Sequence, residues 1–176
     1  MVKEASSFCN LMLGEDLESY LVFLLMRYTQ STTMIRKTIA IDFLEAAHKI
    51  GKNRNNSLQE VGDSCLLFAG LFPGVAQRRN VRVSYFVKIG KTAYYALSLA
   101  NNVEIAPLFC ALSENFVPLM DILQSMRELD SKIDLLDAMT AEEIWRDTGS
   151  QHALKALKKF TNIIPIGHIN KPNFKK

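Results

Sequence analysis

Apolar residues recur along this chain at the spacing of helices. From Leu17, the positions Tyr20, Leu21, Leu24, Leu25 and Tyr28 repeat at steps of three and four, which predicts a helix from about Asp16 to Gln30. Gly14, Glu15 and Asp16 supply a break and negative charge at its positive end. Val22, Phe23 and Met26 fill much of the other side, so this helix is expected to be central or oligomer-forming. A second helix is expected from about Met34 to Ile50, with a stripe of Ile35, Ile39, Phe43, Ala46, Ala47 and Ile50. Gly51 suits the residue that ends it, and Lys52 to Asn56 reads as a loop. Ser57 and Glu60 have the form of a capping box, which starts a third helix there. It runs through Leu66, Leu67, Phe68 and Ala69; Gly70 weakens it and Phe72-Pro73-Gly74 ends it.

Val75 to Arg82 is a basic connector, and a fourth helix follows from about Val83 to Ala100. Its apolar positions include Phe86, Ile89, Ala93, Tyr94, Leu97 and Ala100. A short strand over Arg82–Val87 is the alternative, but no second strand pairs with it. Asn101-Asn102 breaks the chain, and Pro107 fits the first turn of a fifth helix. Pro118 lies in that helix's path and should kink or split it, with a periodic continuation from Leu119 to about Leu129. Thr140 and Glu143 resemble a second capping box, and Gly149 interrupts. Ser150 to Phe160 is amphipathic, with Ala153, Leu154 and Leu157 opposite Lys155, Lys158 and Lys159. The pattern predicts an all-α fold: a single-domain irregular bundle of six or seven helices over residues 1–169. Helices one, three and four form its centre, and 170–176 is a flexible tail.

Composition narrows the class. With 48% hydrophobic and 22% charged residues, a chain of 176 residues can bury a core without disulfides or metal. The longest apolar runs, Tyr20–Met26 and Cys65–Ala76, fall short of the roughly 20 residues of a membrane span. No targeting segment is expected, because Lys3, Glu4 and Glu15 interrupt the first fifteen residues. Cys9, Cys65 and Cys110 are widely spaced, so neither zinc nor a disulfide framework is implied; Cys65 and Cys110 read as buried small hydrophobes. These features fit a cytoplasmic protein that is not bound to membranes. The net charge of +3 is mild but segregated. Between Glu114 and Glu143, eight acids face two bases; from Arg146 to Lys176, seven bases face one acid. Such segments attract each other, or else form a docking surface for a charged partner.

Chemistry is sparse. No GxGxxG, Walker or GxSxG motif occurs; Gly90-Lys91-Thr92 resembles the end of a P-loop but lacks the earlier glycine, since Tyr85 stands there. Glu45 and His48 share a helix face, yet a di-iron bundle needs two such pairs, so no metal site, cofactor or catalytic residue is assigned. Asp63 is the most informative polar residue, because its helix turns wholly apolar within two residues. Either it is a solvated first-turn carboxylate, or it is buried and needs a partner. Arg27 and the hydroxyls of Tyr85, Tyr94 and Tyr95 are candidates, and Asp63, Arg27, Tyr85 and Tyr94 form the candidate ligand-binding set. Arg78, Arg79 and Arg82 are candidates for phosphate or nucleic acid, although an exposed basic loop is the plainer reading.

The stretch Glu60-Val61-Gly62-Asp63-Ser64-Cys65-Leu66-Leu67-Phe68-Ala69-Gly70-Leu71-Phe72-Pro73, with Val83-Ser84-Tyr85-Phe86, Gly90 and Ala93-Tyr94, resembles a group of uncharacterised bacterial proteins. They share a Gly-Asp, an apolar run, a Gly-Phe-Pro and a Tyr-rich helix. The resemblance implies a bacterial source and a helical fold, and brings no activity, cofactor or catalytic residue. Three functions are therefore ranked. The first is a helical protein-interaction or adaptor module with an unknown protein partner, self-associating into a homo-oligomer where Phe23, Met26, Leu71 and Phe72 exceed what the core buries. The second is a small-molecule-binding protein or enzyme with a pocket at Asp63 and Arg27. The third is nucleic-acid binding through residues 78–82.

Overall fold

The structure is a computed structural model, and it describes residues 14–30, 51–74, 81–100, 104–131 and 136–160. Among these residues there are seven helices and no strand: α1 (Glu15–Gln30), α2 (Gly51–Leu71), α3 (Val83–Ala100), α4 (Ala106–Glu114), α5 (Phe116–Ser131), α6 (Ala138–Thr148) and α7 (Gln151–Phe160). The all-α reading therefore holds, and the strand alternative at Arg82–Val87 is replaced by the first turn of α3. The expected second helix, with Glu45 and His48, lies outside the described residues, as do Arg78, Arg79, Asn101-Asn102 and the tail.

Helices α2 and α3 pack along each other, α3 also against α4, and α2 also against α5. Glycines set these spacings. A Cβ on Gly90 would stand 2.3 Å from the Phe116 ring and 2.9 Å from the Cys65 Cβ. One on Gly70 would stand 2.5 Å from the Leu123 Cβ. Gly70 thus does not weaken α2, which continues to Leu71; it lets α5 approach. The core shared by these helices includes Leu66, Tyr94, Leu112, Phe116, Leu119 and Leu123.

Three boundaries differ from the sequence expectation. Helix α2 begins at Gly51 rather than Ser57, so Lys52–Asn56 is helical and Ser57 and Glu60 lie in a helix interior. A cap contributes only about 1 kcal/mol, and continued backbone hydrogen bonding overrides it. Gly51, expected to end a preceding helix, is instead the first residue of α2, with a left-handed φ of 63°. The break expected at Pro118 falls at Asn115 instead. Proline's ring excludes the carbonyl four residues earlier, which belongs to Glu114, so α4 must end there. Asn115 fills the gap: its backbone and side-chain N–H groups both donate to the Ala111 carbonyl at 2.9 Å, and α5 departs at 68°. Third, α6 is capped by Asp137, not Thr140. Its carboxylate accepts from the Met139 and Thr140 amides, each at 3.0 Å, leaving Thr140 inside the first turn. A carboxylate also complements the helix dipole, which a hydroxyl does not.

The centre differs too. Helix α5 is buried without interruption from Leu119 to Ser125, while α1 lies at the side with Val22, Phe23 and Met26 exposed. Asp121, inside that buried run, accepts from Ser150 Oγ at 2.6 Å and from the Gln151 and His152 amides at 2.9 and 3.2 Å. Ser150 in turn accepts from the Ala153 amide at 3.0 Å. The first turn of α7 is therefore capped partly from α5. No single helix among the described residues is long and apolar enough to cross a membrane.

The spacing argument predicts that Gly70→Ala destabilises the protein by about 1–3 kcal/mol, because Leu123 Cβ cannot retreat without moving α5. Chemical denaturation of Gly70→Ala beside Gly14→Ala, whose Cβ would meet nothing within 4 Å, measures this. Equal stability of the two variants would show that α2 and α5 are not closely packed.

Candidate functional site

Asp63 is the thirteenth residue of α2, so it is a mid-helix residue and not a first-turn carboxylate. It is completely buried. Its neighbour Gly62 explains how a partner reaches it, since a Cβ there would lie 2.6–2.9 Å from the Tyr94 ring. The missing side chain lets that ring lie against α2. The Tyr94 hydroxyl then donates to Asp63 Oδ1 at 2.7 Å.

Helix α1 supplies the remaining donors. Tyr20 and Arg27 are seven residues apart, two turns on the same face. The Tyr20 hydroxyl donates to Asp63 Oδ1 at 2.6 Å, and the Gln59 side-chain amide donates to the Tyr20 oxygen at 3.2 Å. Arg27 donates to Asp63 Oδ2. Helical side chains lean toward the N-terminus, which carries the long Arg27 chain back toward Asp63. One oxygen thus takes two phenols and the other takes a guanidinium. The rings of Tyr20, Tyr94 and Phe109 surround this group with centroids 6.2–6.4 Å apart.

Burial raises the Asp63 carboxyl above its ordinary value, while the two phenol hydrogen bonds and Arg27 oppose this by favouring the charged form. Burial also raises Tyr20 and Tyr94, and the Asp63 charge adds to it, so both phenols remain protonated donors. Burial disfavours the Arg27 charge, and Asp63 more than reverses this; its pKa is raised. A buried charge of this kind is tolerable only when several donors satisfy it. The arrangement ties α1 to α2 and α3; Asp63 and Tyr94 are enclosed, Tyr20 and Gln59 are partly buried, and Arg27, 49% exposed in its side chain, reaches furthest into solvent.

Sequence reasoning brought Asp63, Arg27 and Tyr94 together as a set, and the structure places all three in contact. It missed Tyr20 and Gln59. Tyr20 sat in the apolar stripe of α1, where its hydroxyl was not counted; its seven-residue offset from Arg27 was the available signal. Tyr85 does not join the group. Nine residues before Tyr94, it points to the opposite side of α3, half-exposed against the Phe86 ring. Tyr95 is also exposed.

The other candidates are dispersed. Arg82 is exposed and pairs with Asp147 at 3.5 Å, with Ser84 donating to the same carboxylate at 3.0 Å. Arg78 and Arg79 lie outside the described residues. Cys65 is buried and its thiol is raised by that burial, whereas Cys110, one residue past inward-facing Phe109, is half-buried and not fully enclosed as expected. Among the described residues no three His, Cys, Asp or Glu side chains cluster as metal ligands would. A second polar cluster joins α5 to α7: buried His152 meets Ser125 at 3.0 Å through Nδ1 and Glu128 at 3.2 Å through Nε2. No protein-family model, curated protein or solved structure matches the chain.

Asp63→Asn is expected to lower stability by roughly 2–4 kcal/mol, since a neutral amide has one acceptor oxygen in place of two and must turn its N–H donors toward either Arg27 or the two phenols. Tyr94→Phe removes one donor and should lower stability by about 1.5–3 kcal/mol. Urea denaturation of both variants checks this. Wild-type stability in Asp63→Asn would mean that the carboxylate does not hold α1.

Proposed function

We propose that this protein is a helical interaction module whose docking element is the outer face of α1. The observation that supports the reading is a contrast between the two faces of one helix. The inner face is fixed: Leu17, Leu21 and Leu24 are buried, and Tyr20 and Arg27 bind Asp63. The outer face carries Val22, Phe23 and Met26 in one row, with Phe23 67% and Met26 52% exposed. Side chains of that size contribute most to binding when they enter a partner's surface, and a rigid helix presents them with little ordering entropy. Leu71 and Phe72, which the sequence also offered as surplus, are partly covered. The Phe72 ring meets Tyr28 and lies 5.2 Å beneath the Arg127 guanidinium.

A small-molecule pocket at Asp63 and Arg27 ranks second, since its support is the half-exposed guanidinium alone. Nucleic-acid binding ranks third, because Arg82 already faces an acid.

Photo-crosslinking residues placed singly at Phe23 and Met26 in cells are expected to trap one protein adduct of defined mass. The same group at Lys88 or Lys158, exposed on α3 and α7, should not. Adducts of equal yield at all four positions, or none at Phe23 and Met26, would overturn the reading.

A further inference from the structure

We infer that the protein docked on the outer face of α1 is a second copy of this chain, paired antiparallel through α1; the inference rests on the interaction reading above. Charge distribution along the helix carries it. The first turn of α1 holds Glu15, Asp16 and Glu18, and the last turn holds Arg27. A parallel copy would set three acids against three acids. An antiparallel copy instead sets each acidic end beside the other's half-exposed Arg27, whose charge is shared with Asp63, and opposes the two helix dipoles.

Side-chain size fits the same arrangement. About a twofold axis near Val22 and Phe23, the small exposed Ser19 of one chain faces the partner subunit's Met26, and Val22 and Phe23 meet at the centre. Such an interface is isologous: one patch complements itself and closes at two subunits. Arg27 keeps donors for the neighbour while it binds Asp63, because a guanidinium carries five N–H groups. The Asp63 group thereby also orients the cation at the edge of the interface.

A sixteen-residue helix is roughly 24 Å long. One such helix on another buries less than the ~1,200 Å² of a standard interface. The dimer is therefore concentration-dependent and weakened by salt.

Sedimentation equilibrium of the purified full chain, from about 1 to 200 μM, tests the inference. The expected result is a monomer–dimer equilibrium whose dissociation constant rises about tenfold or more in Phe23→Asp and rises with added sodium chloride. Because Phe23 is mostly exposed, the variant should keep its helical circular dichroism; should it not, Met26→Lys replaces it. Orientation is read by disulfide formation in a Cys9→Ser, Cys110→Ser background. Ser19→Cys mixed with Met26→Cys should form the mixed disulfide, with little self-linkage of either. Preferential self-linkage at each position would overturn the antiparallel arrangement. A monomer throughout the range would overturn the second copy. If Phe23 then still traps an adduct of a different mass in cells, the interaction reading survives; if it traps nothing, both fall.

Discussion

The fold is organised around one buried carboxylate. Asp63 lies among apolar side chains where an unpaired charge would not be tolerated, and its three donors come from two other helices, α1 and α3. Each donor depends on a different local condition. Tyr94 needs the absence of a side chain at Gly62, Tyr20 needs Gln59 beside it, and Arg27 needs a helix face shared with Tyr20. Apolar packing alone would let α1 rotate or slide over its neighbours at small cost. Directional bonds to a single carboxylate admit only one orientation. That orientation decides which residues of α1 face outward.

Much of this was legible in the sequence. Helix α3 was predicted at its observed limits, Val83–Ala100, because its stripe is long and regular and no cap competes. The end of α1 and the termination at Gly149 followed from spacing and from a glycine that adopts a φ of 76°. Asp63 stood out because a carboxylate immediately before a long apolar run needs an explanation, and two of its three partners were named. The misses share a cause, which is interaction between residues distant in sequence. Tyr20 lies 43 positions from Asp63. Ser57 looked like a helix start because capping is local, while the helix around it is stabilised elsewhere. The central place of α5 was hidden by Asp121, Gln124 and Ser125, polar residues that read as surface until their partners are known. Gln124, for instance, donates to the Ala69 carbonyl near the end of α2 at 2.9 Å.

Glycine and polar pairing do complementary work here. Gly70 brings Leu123 close to α2, and Gly90 brings Phe116 and Cys65 close to α3, near enough for dispersion contacts. Gly62 does the same for a ring whose outer edge is polar. The Gly-Asp and Tyr elements of the mid-chain pattern thus belong to one contact, in which the first residue makes room, the last fills it and the middle one accepts its proton donor. Together they satisfy one packing contact between α2 and α3.

Asp121 has a different consequence. Helix α7 is only ten residues long, below the length at which an isolated helix persists in water. The amides of Gln151 and His152 are held by a carboxylate on α5 rather than by a side chain of their own segment. The first turn of α7 is therefore completed by α5, and separating the two helices would leave both amides without that acceptor. Hydrogen exchange at those two amides would then report separation of α5 from α7, a sub-global opening, and not fraying of a helix end.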